Sequence, residues 1–352
     1  MDRGRHRRRR SRRSDGRTGL GPRRRWRAGA AHRPEPTEGR GIAGDGAIIV
    51  AQGAFGPPSP VLRYDPSAPR RDRVTEITEP FSITDLAISP LDGTGWAIGA
   101  DQFLYHQLAD GTIEAVLDIA GYQVGDPDPV DIDVPPNPTE TNPYGLAVAP
   151  NGDALVADAA GNDLIRVTPD GVATTVARFD LEVISTSHIP GFPEPALPAE
   201  AVPTSVTIGR DGAIYVGELK GFPFTPGASK VWRIEADADG AWCSVNAPSP
   251  DCTVYKDGLT AIQDIAIDQR NGRMFVLTLA EAGVLAFEEG FETGEFPPGA
   301  LYELRNIGRW NEKFLQLAEG QISQPGGIAL RGGQTYVTDG MFTGGRLLRI
   351  TN

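Results

Sequence analysis

The chain has 352 residues, 39% of them hydrophobic and 23% charged, and a net charge of −12. The charge is split: residues 1–40 hold 15 Arg and four acidic side chains, leaving 19 basic and 42 acidic residues, a net −23, for 41–352. An acidic body of this kind disfavours nucleic acid and anionic membrane as partners and suits cations, and no run approaches the ~20 apolar residues of a membrane-spanning helix.

Residues 1–40 contain no lysine and few apolar side chains. Such a segment cannot bury enough apolar surface to offset the entropy of ordering, so it is expected to be a disordered tail. A mis-assigned start or reading frame is the expected source of its composition; a basic arm for nucleic acid or a membrane surface is the alternative. No apolar stretch follows a short basic start, so no signal peptide is expected in the chain as it stands.

From Gly41 onward one phrase recurs six times. Its clearest copy runs Tyr144-Gly145-Leu146-Ala147-Val148, turn Pro150-Asn151-Gly152, Leu155-Val156-Ala157-Asp158, then Leu164-Ile165-Arg166-Val167. Further copies open at Gly41, Asp85, Ser205, Asp264 and Gly327, at spacings of 44, 60, 60, 59 and 63 residues. Each copy alternates apolar and polar residues at period two and is cut by turns that need positive φ. One such unit cannot cover both faces of its sheet, whereas six around an axis can. The expectation is an all-β, six-bladed β-propeller over 41–352, with a β-solenoid as the competing arrangement. Helical spacing is confined to Glu281–Phe287 and Gly308–Ala318, each expected as a short helix. Complete units carry a fourth strand, such as Val172–Phe179. The last unit ends at Asn352 without one, and residues 30–40, with Pro34 and Pro36, make a poor substitute. The last blade is therefore expected to lack its outer strand and to expose an edge.

Cys243 and Cys252 flank a Pro-containing segment. They read either as a disulfide closing a small loop, which implies an oxidising compartment, or as two unrelated thiols.

In a propeller, equivalent positions converge around the axis although they lie about 60 residues apart. The position closing the second strand is Gln52, Ala100, Asp158, Glu218, Thr278 and Asp339; the position at the first strand is Thr84, Asn142, Thr204, Gln263, Asp264 and Gln324. Asp158, Glu218, Asp264 and Asp339 are the candidate metal ligands, since oxygen-only sets suit Ca2+ or another hard divalent cation. Asn142, Thr204, Gln263 and Gln324 are candidate ligand-binding residues. Hydrogen bonding to neighbouring blades is the alternative use of all of them. The loop 126–140 could add carboxylates to the same mouth or be a solvated acidic loop. Phe222 and Phe224 read as an aromatic pair that grips a ligand or as a clasp over blade edges. His106 and His188 stand in no metal-ligand spacing, and no nucleophile elbow, His-Glu-x-x-His or Walker loop is present.

Asn142-Pro143-Tyr144-Gly145-Leu146-Ala147, Leu155 to Leu164, and Val202 to Val206 followed by Ile214 to Phe224 and Pro226-Gly227-Ala228 resemble the ScyD/ScyE family. Gly221-Phe222-Pro223-Phe224 is the most specific part of the match, which covers about residues 41–352. More distantly the units are similar to NHL repeats and to the SMP-30/gluconolactonase superfamily. The resemblance implies an exported six-bladed propeller of uncertain biochemistry. It would be extracellular or periplasmic, and would bind a small molecule, glycan or protein at its channel mouth. A monomer is expected. The lactonase-type relatives imply the alternative, a divalent-metal-dependent hydrolase. Of their cation-binding Glu, two Asn-type residues and Asp, only Asn142 and Asp264 fall near matching places here.

Overall fold

The structure, a computed structural model, describes residues 42–51, 58–342 and 345–351. The Arg-rich segment 1–40, with the stretch weighed above as a closing strand, and Gln52 lie outside these residues.

Six antiparallel sheets follow one another along the chain. Blade 1 is β1 (Ile48–Val50), β2 (Leu62–Tyr64) and β3 (Val74–Glu76), with Ile42 bridged to Ile48 in place of a full first strand. Blade 2 is β4 (Ile83–Ile88), β5 (Gly95–Gly99), β6 (Phe103–Gln107) and β7 (Ile113–Asp118). Helix α1 (Ile119–Gly125) leads to blade 3, which holds β8 (Pro143–Val148), β9 (Ala154–Asp158), β10 (Asp163–Val167) and β11 (Ala173–Phe179). A separate hairpin, β12 (Glu182–Ser185) and β13 (Ala196–Ala199), precedes blade 4. Blade 4 has β14 (Pro203–Ile208), β15 (Ile214–Glu218) and β16 (Ser229–Ile234), then the short β17 (Ala241–Cys243), then β18 (Cys252–Leu259). Blade 5 has β19 (Ile262–Asp268), β20 (Arg273–Thr278), helix α2 (Val284–Thr293), β21 (Gly299–Arg305) and β22 (Lys313–Ile322). Blade 6 has β23 (Pro325–Arg331), β24 (Gln334–Asp339) and β25 (Arg346–Ile350).

Successive side chains point to opposite faces of a blade, and inner strands such as β9, β15 and β19 are buried at every position, so each seam between blades buries one face from either side. Ile98 and Leu104 meet Leu146 and Val156 between blades 2 and 3. Leu155 and Leu164 meet Val216 and Trp232 between blades 3 and 4. Val231 meets Ile265 and Val276 between blades 4 and 5, and Leu277 meets Ile328 and Val337 between blades 5 and 6. Val61 meets Ile83 and Leu86 between blades 1 and 2. The sixth seam decides the topology: Ile48, Leu62 and Tyr64 of blade 1 pack on Ala329, Tyr336 and Leu347 of blade 6. A linear solenoid has no such contact, so the units close into a ring, the expected six-bladed propeller.

Among the described residues β25 pairs with β24 alone; the segment weighed as a fourth strand falls outside them. Three features depart from the sequence reading. Residues 308–318 form no helix; they are a turn running into β22, whose apolar Leu317 pairs with Leu301 and whose Leu315 pairs with Glu303 on β21. Sheet pairing overrides the local spacing there, as tertiary context does for marginal helices. Helix α2 runs longer and later than the expected 281–287. The Cys243–Cys252 disulfide is present, but it does more than close a loop. β17 adds in parallel to the outer edge of β11, pairing Cys243 with Phe179, so the bond ties the fifth strand of blade 3 to the outer strand of blade 4.

Antiparallel order fixes which loops share an end of the ring. Turns between first and second strands lie at one end and close in two to six residues. Connections between blades and between second and third strands lie at the other, and there the chain places α1, the acidic loop 126–142, the β12–β13 hairpin, residues 219–228 and α2. No helix among the described residues is long and apolar enough to cross a membrane.

Candidate functional site

The loop end carries the residues singled out from sequence, and their first task is to hold the blades. Asp158 ends β9 fully buried. Its Oδ1 accepts from the backbone N–H of Asn142 (2.7 Å), Ala160 (3.2 Å) and Gly161 (3.0 Å), and its Oδ2 accepts from Thr141 Oγ1 and from Gln123 Nε2 (3.2 Å). Asp339 ends β24 the same way: Oδ1 accepts from the N–H of Ser323 (2.9 Å) and Gln324 (2.8 Å), and Oδ2 receives Arg346 Nε at 2.7 Å. In both blades the carboxylate clips the amide just before the first strand. This brings Asn142 to Asp158 and Gln324 to Asp339 through backbone, while the Asn142 side chain stays exposed.

Glu218 occupies the equivalent place in blade 4 with different partners. Trp232 Nε1 donates to its Oε2 at 2.8 Å, and Lys220 Nζ stands 3.1 Å from Oε1. Lys220 is 1% exposed and also reaches Glu182 at 3.3 Å, which Lys230 holds at 2.5 Å. Burial raises the Glu218 carboxyl above its ordinary range, opposed by the two lysines; a buried carboxylate without such partners would be costly. Two ammonium groups thus take the place of a cation at Glu218.

First-strand residues staple successive blades. Asp85 Oδ2 accepts from Leu146 N–H at 2.8 Å, and Asp264 Oδ2 accepts from Ile328 N–H at 2.8 Å, each one blade on. Asp264 Oδ1 accepts from Ile265 N–H at 2.7 Å. Thr204 Oγ1 donates to Ile262 O at 2.7 Å across the next seam. Gly145 shows how close these strands run, since a Cβ there would lie 2.7 Å from Ser205 Cα and Thr204 O. Gln263 Nε2 donates to Tyr144 Oη at 2.6 Å and to Gly326 O at 3.3 Å, joining blades 5, 3 and 6. Burial and the carboxylates of Asp85 and Asp264 push the Tyr144 phenol up to about 12. Tyr144 was not among the residues predicted from sequence; the signal was its place beside Gly145 at the start of a first strand. Because both Asp264 oxygens accept backbone N–H groups and the Asn142 side chain is exposed, this pair does not fit the single cation of a lactonase-type set. Among the described residues no three or more His, Cys, Asp or Glu side chains form a metal-holding group.

The Gly-Phe-Pro-Phe segment is a built projection. Phe222–Pro223 is a cis peptide. Phe224 packs with Ala261, Leu279, Val284 and Phe287 in an apolar layer over blades 4 to 6. Phe222 remains 45% exposed, its ring 5.9 Å from Phe224 and 5.8 Å from Phe192 of the β12–β13 hairpin. The hairpin grips this ledge: His188 Nε2 lies 2.9 Å from Pro223 O, and Thr225 Oγ1 donates to Ser185 O at 2.5 Å. Of the two aromatic rings, then, Phe224 is the clasp and Phe222 the exposed surface.

Beside the ledge runs the acidic loop. Asp128 is buried, accepting from Val130 N–H (2.9 Å) and Asn162 Nδ2 (3.0 Å), and burial raises its carboxyl. Glu200 is pushed up to about 7, first by burial and then by Asp128, Asp133 and Asp131. Gly221 N–H donates to Glu200 O at 2.9 Å, which couples this loop to the ledge.

At the turn end, a cleft of about 360 Å³ lies between blades 5 and 6, lined by Asp268, Arg270, Arg273, Glu303, Thr335 and Ile350. Its charges are largely matched, with Arg273 3.0 Å from Glu303 and Arg270 2.9 Å from Asp268. None of the residues proposed from sequence lines it.

No protein-family model matches the chain, and no curated protein matches it in sequence. Solved structures do. A virginiamycin B lyase from Staphylococcus aureus aligns at 17% identity and a TM-score of 0.49, over 87% of this chain and 78% of that one. A gluconolactonase from Xanthomonas campestris aligns at 14% identity and a TM-score of 0.49, over 93% and 99%. The PQQ-bound aldose sugar dehydrogenase from Streptomyces coelicolor aligns at 15% identity and a TM-score of 0.49, over 90% and 95%.

Proposed function

We propose that the chain is an exported propeller of the ScyD/ScyE type that acts by binding, with its ligand seated on the loop end. The ledge carries this reading: Phe192 and Phe222 form an aromatic step held in place by the hairpin and by Phe224 below. A rigid aromatic surface beside polar groups is the usual make-up of a small-ligand site. It suits a ligand with a flat apolar face, as a sugar ring or an aromatic ring presents. The carboxylates that could serve catalysis are engaged in clips and staples, which supports binding over hydrolysis. The disulfide agrees with an oxidising, extracellular setting.

Thermal-shift and calorimetric screens against cello-, chito- and malto-oligosaccharides and planar aromatic compounds test the proposal and separate the two ligand sources. Phe222→Ala is expected to weaken a hit about tenfold, in line with loss of one aromatic anchor. Arg273→Ala in the turn-end cleft is expected to leave it unchanged. A hit abolished by the cleft variant and untouched by Phe222→Ala overturns the assignment. The hydrolase alternative has its own assay: lactone turnover with added Ca2+ or Zn2+ that disappears in Asp264→Asn would replace binding with catalysis.

A further inference from the structure

Where α1 meets blade 3, two carboxylates lie side by side with no basic side chain between them. Asp158 and Asp163 are cross-strand partners on β9 and β10, and both are essentially inaccessible, at 0% and 1% exposure. Arg178, opposite Asp163 on β11, is ion-paired to Asp126. What reaches both carboxylates is a neutral amide. Gln123 of α1, itself 1% exposed, places Nε2 3.2 Å from Asp158 Oδ2 and 3.1 Å from Asp163 Oδ2. Thr141 Oγ1 lies against the same Asp158 oxygen. Two buried oxygens here have no hydrogen-bond partner, Gln123 Oε1 and Asp163 Oδ1. Unpartnered oxygens beside paired buried carboxylates are a costly arrangement.

We propose that Asp158, Asp163, Gln123 and Thr141 hold one divalent cation, of the Ca2+ type, between blade 3 and α1. The donors are all oxygen, which is the chemistry of Ca2+ rather than of zinc. A Gln amide can turn end for end without changing shape. Turned, its oxygen sits where Nε2 now stands, about 3.1–3.2 Å from one oxygen of each carboxylate. Oxygens sharing a Ca2+ at roughly 2.4 Å, near right angles, lie about 3.4 Å apart, so an outward shift of a few tenths of an ångström at Gln123 and a larger one at Thr141 would open a coordination shell. Asp158 would bind through Oδ2 alone, because Oδ1 is held by three backbone N–H groups. Asp163 would use both oxygens, giving Oδ1 the partner it lacks. With Gln123 and Thr141 this makes five protein ligands, and water completes the shell. The ion would neutralise the buried pair and lock α1 onto blade 3. This site is independent of the ligand ledge and of Asp264.

The test is a melting curve of the full chain stripped with EGTA, then supplied with Ca2+ or Mg2+. At 1 mM Ca2+ the melting temperature is expected to rise by about 5 °C, with Mg2+ giving less. Asp163→Asn keeps the shape of the side chain and removes one charge, so the variant is expected to fold and to lose the Ca2+ response. Asp131→Asn, on the outer acidic loop, is expected to retain it. No rise in the parent protein overturns the proposal. A rise that survives Asp163→Asn, or one abolished by Asp131→Asn instead, also overturns it.

Discussion

Blade 3 and blade 6 share the same inner device, Asp158 on the Asn142 amide and Asp339 on the Gln324 amide, yet among the described residues blade 3 has five strands and blade 6 three. The inner half of a blade is set by the repeated phrase, which supplies its strand pair, its turn and its carboxylate. The outer half depends on what the chain places between repeats. Blade 3 receives β17 from the blade 4 insertion and a disulfide to keep it there. Among the described residues, blade 6 receives nothing beyond β25.

The largest effect should come from removing the shared device. Asp158→Ala takes the acceptor from three buried or half-buried N–H groups and is expected to cost about 3–5 kcal/mol. Asp339→Ala removes two such bonds and frees a half-exposed Arg346, for about 2–4 kcal/mol. Urea unfolding of both variants checks this, and a negligible loss in either would show that the clip is not common to the two blades.

A smaller, local effect separates the outer halves. Replacing Cys243 and Cys252 by Ser opens a loop of nine-residue separation, with an expected loss of about 2–3 kcal/mol. Hydrogen exchange should then rise at Ala177–Phe179, where β11 loses β17, and stay unchanged in β25. Faster exchange in blade 6 instead would mean that the strap supports the whole ring.

The smallest effect is on pH. In the fold the Glu200 carboxyl titrates near 7 instead of its ordinary 4.5. The folded state therefore binds the proton more tightly than the unfolded state does. Its contribution is greatest below the ordinary carboxylate range and is lost as pH rises from about 4.5 to about 7. Melting temperatures measured across that window should fall less in Glu200→Gln than in the parent protein. Equal slopes would place the crowding elsewhere.

The repeat made the ring legible because strand alternation, Asn-Gly and Asp-Gly turns and the ~60-residue spacing all point to one solution. β17 was not legible: Ala241-Trp242-Cys243 is too short to show a period, and its parallel pairing with β11 exists only once blades 3 and 4 are adjacent. The helix expected at 308–318 failed because an outer strand with Phe314, Leu315 and Leu317 mimics helical spacing. At the site, residue types were readable but allegiances were not. Sequence could not tell that Glu218 would meet Lys220 and Lys230 while Asp158 met backbone amides, because both occupy the same place in the repeat. Tyr144 was overlooked because an aromatic at the start of a strand looks like core until its hydroxyl is seen reaching Gln263 two blades away.

The two ends of the ring differ in ways that matter for handling the molecule. At one end the first-strand turns, such as 149–153 and 332–333, are brief and contribute nothing to the aromatic ledge or to the α1 junction. A fluorophore at Asn151, or a surface tether there, would present the loop end outward and unobstructed. Captured through that point, the protein would turn its loop end, with the aromatic ledge, toward the sample.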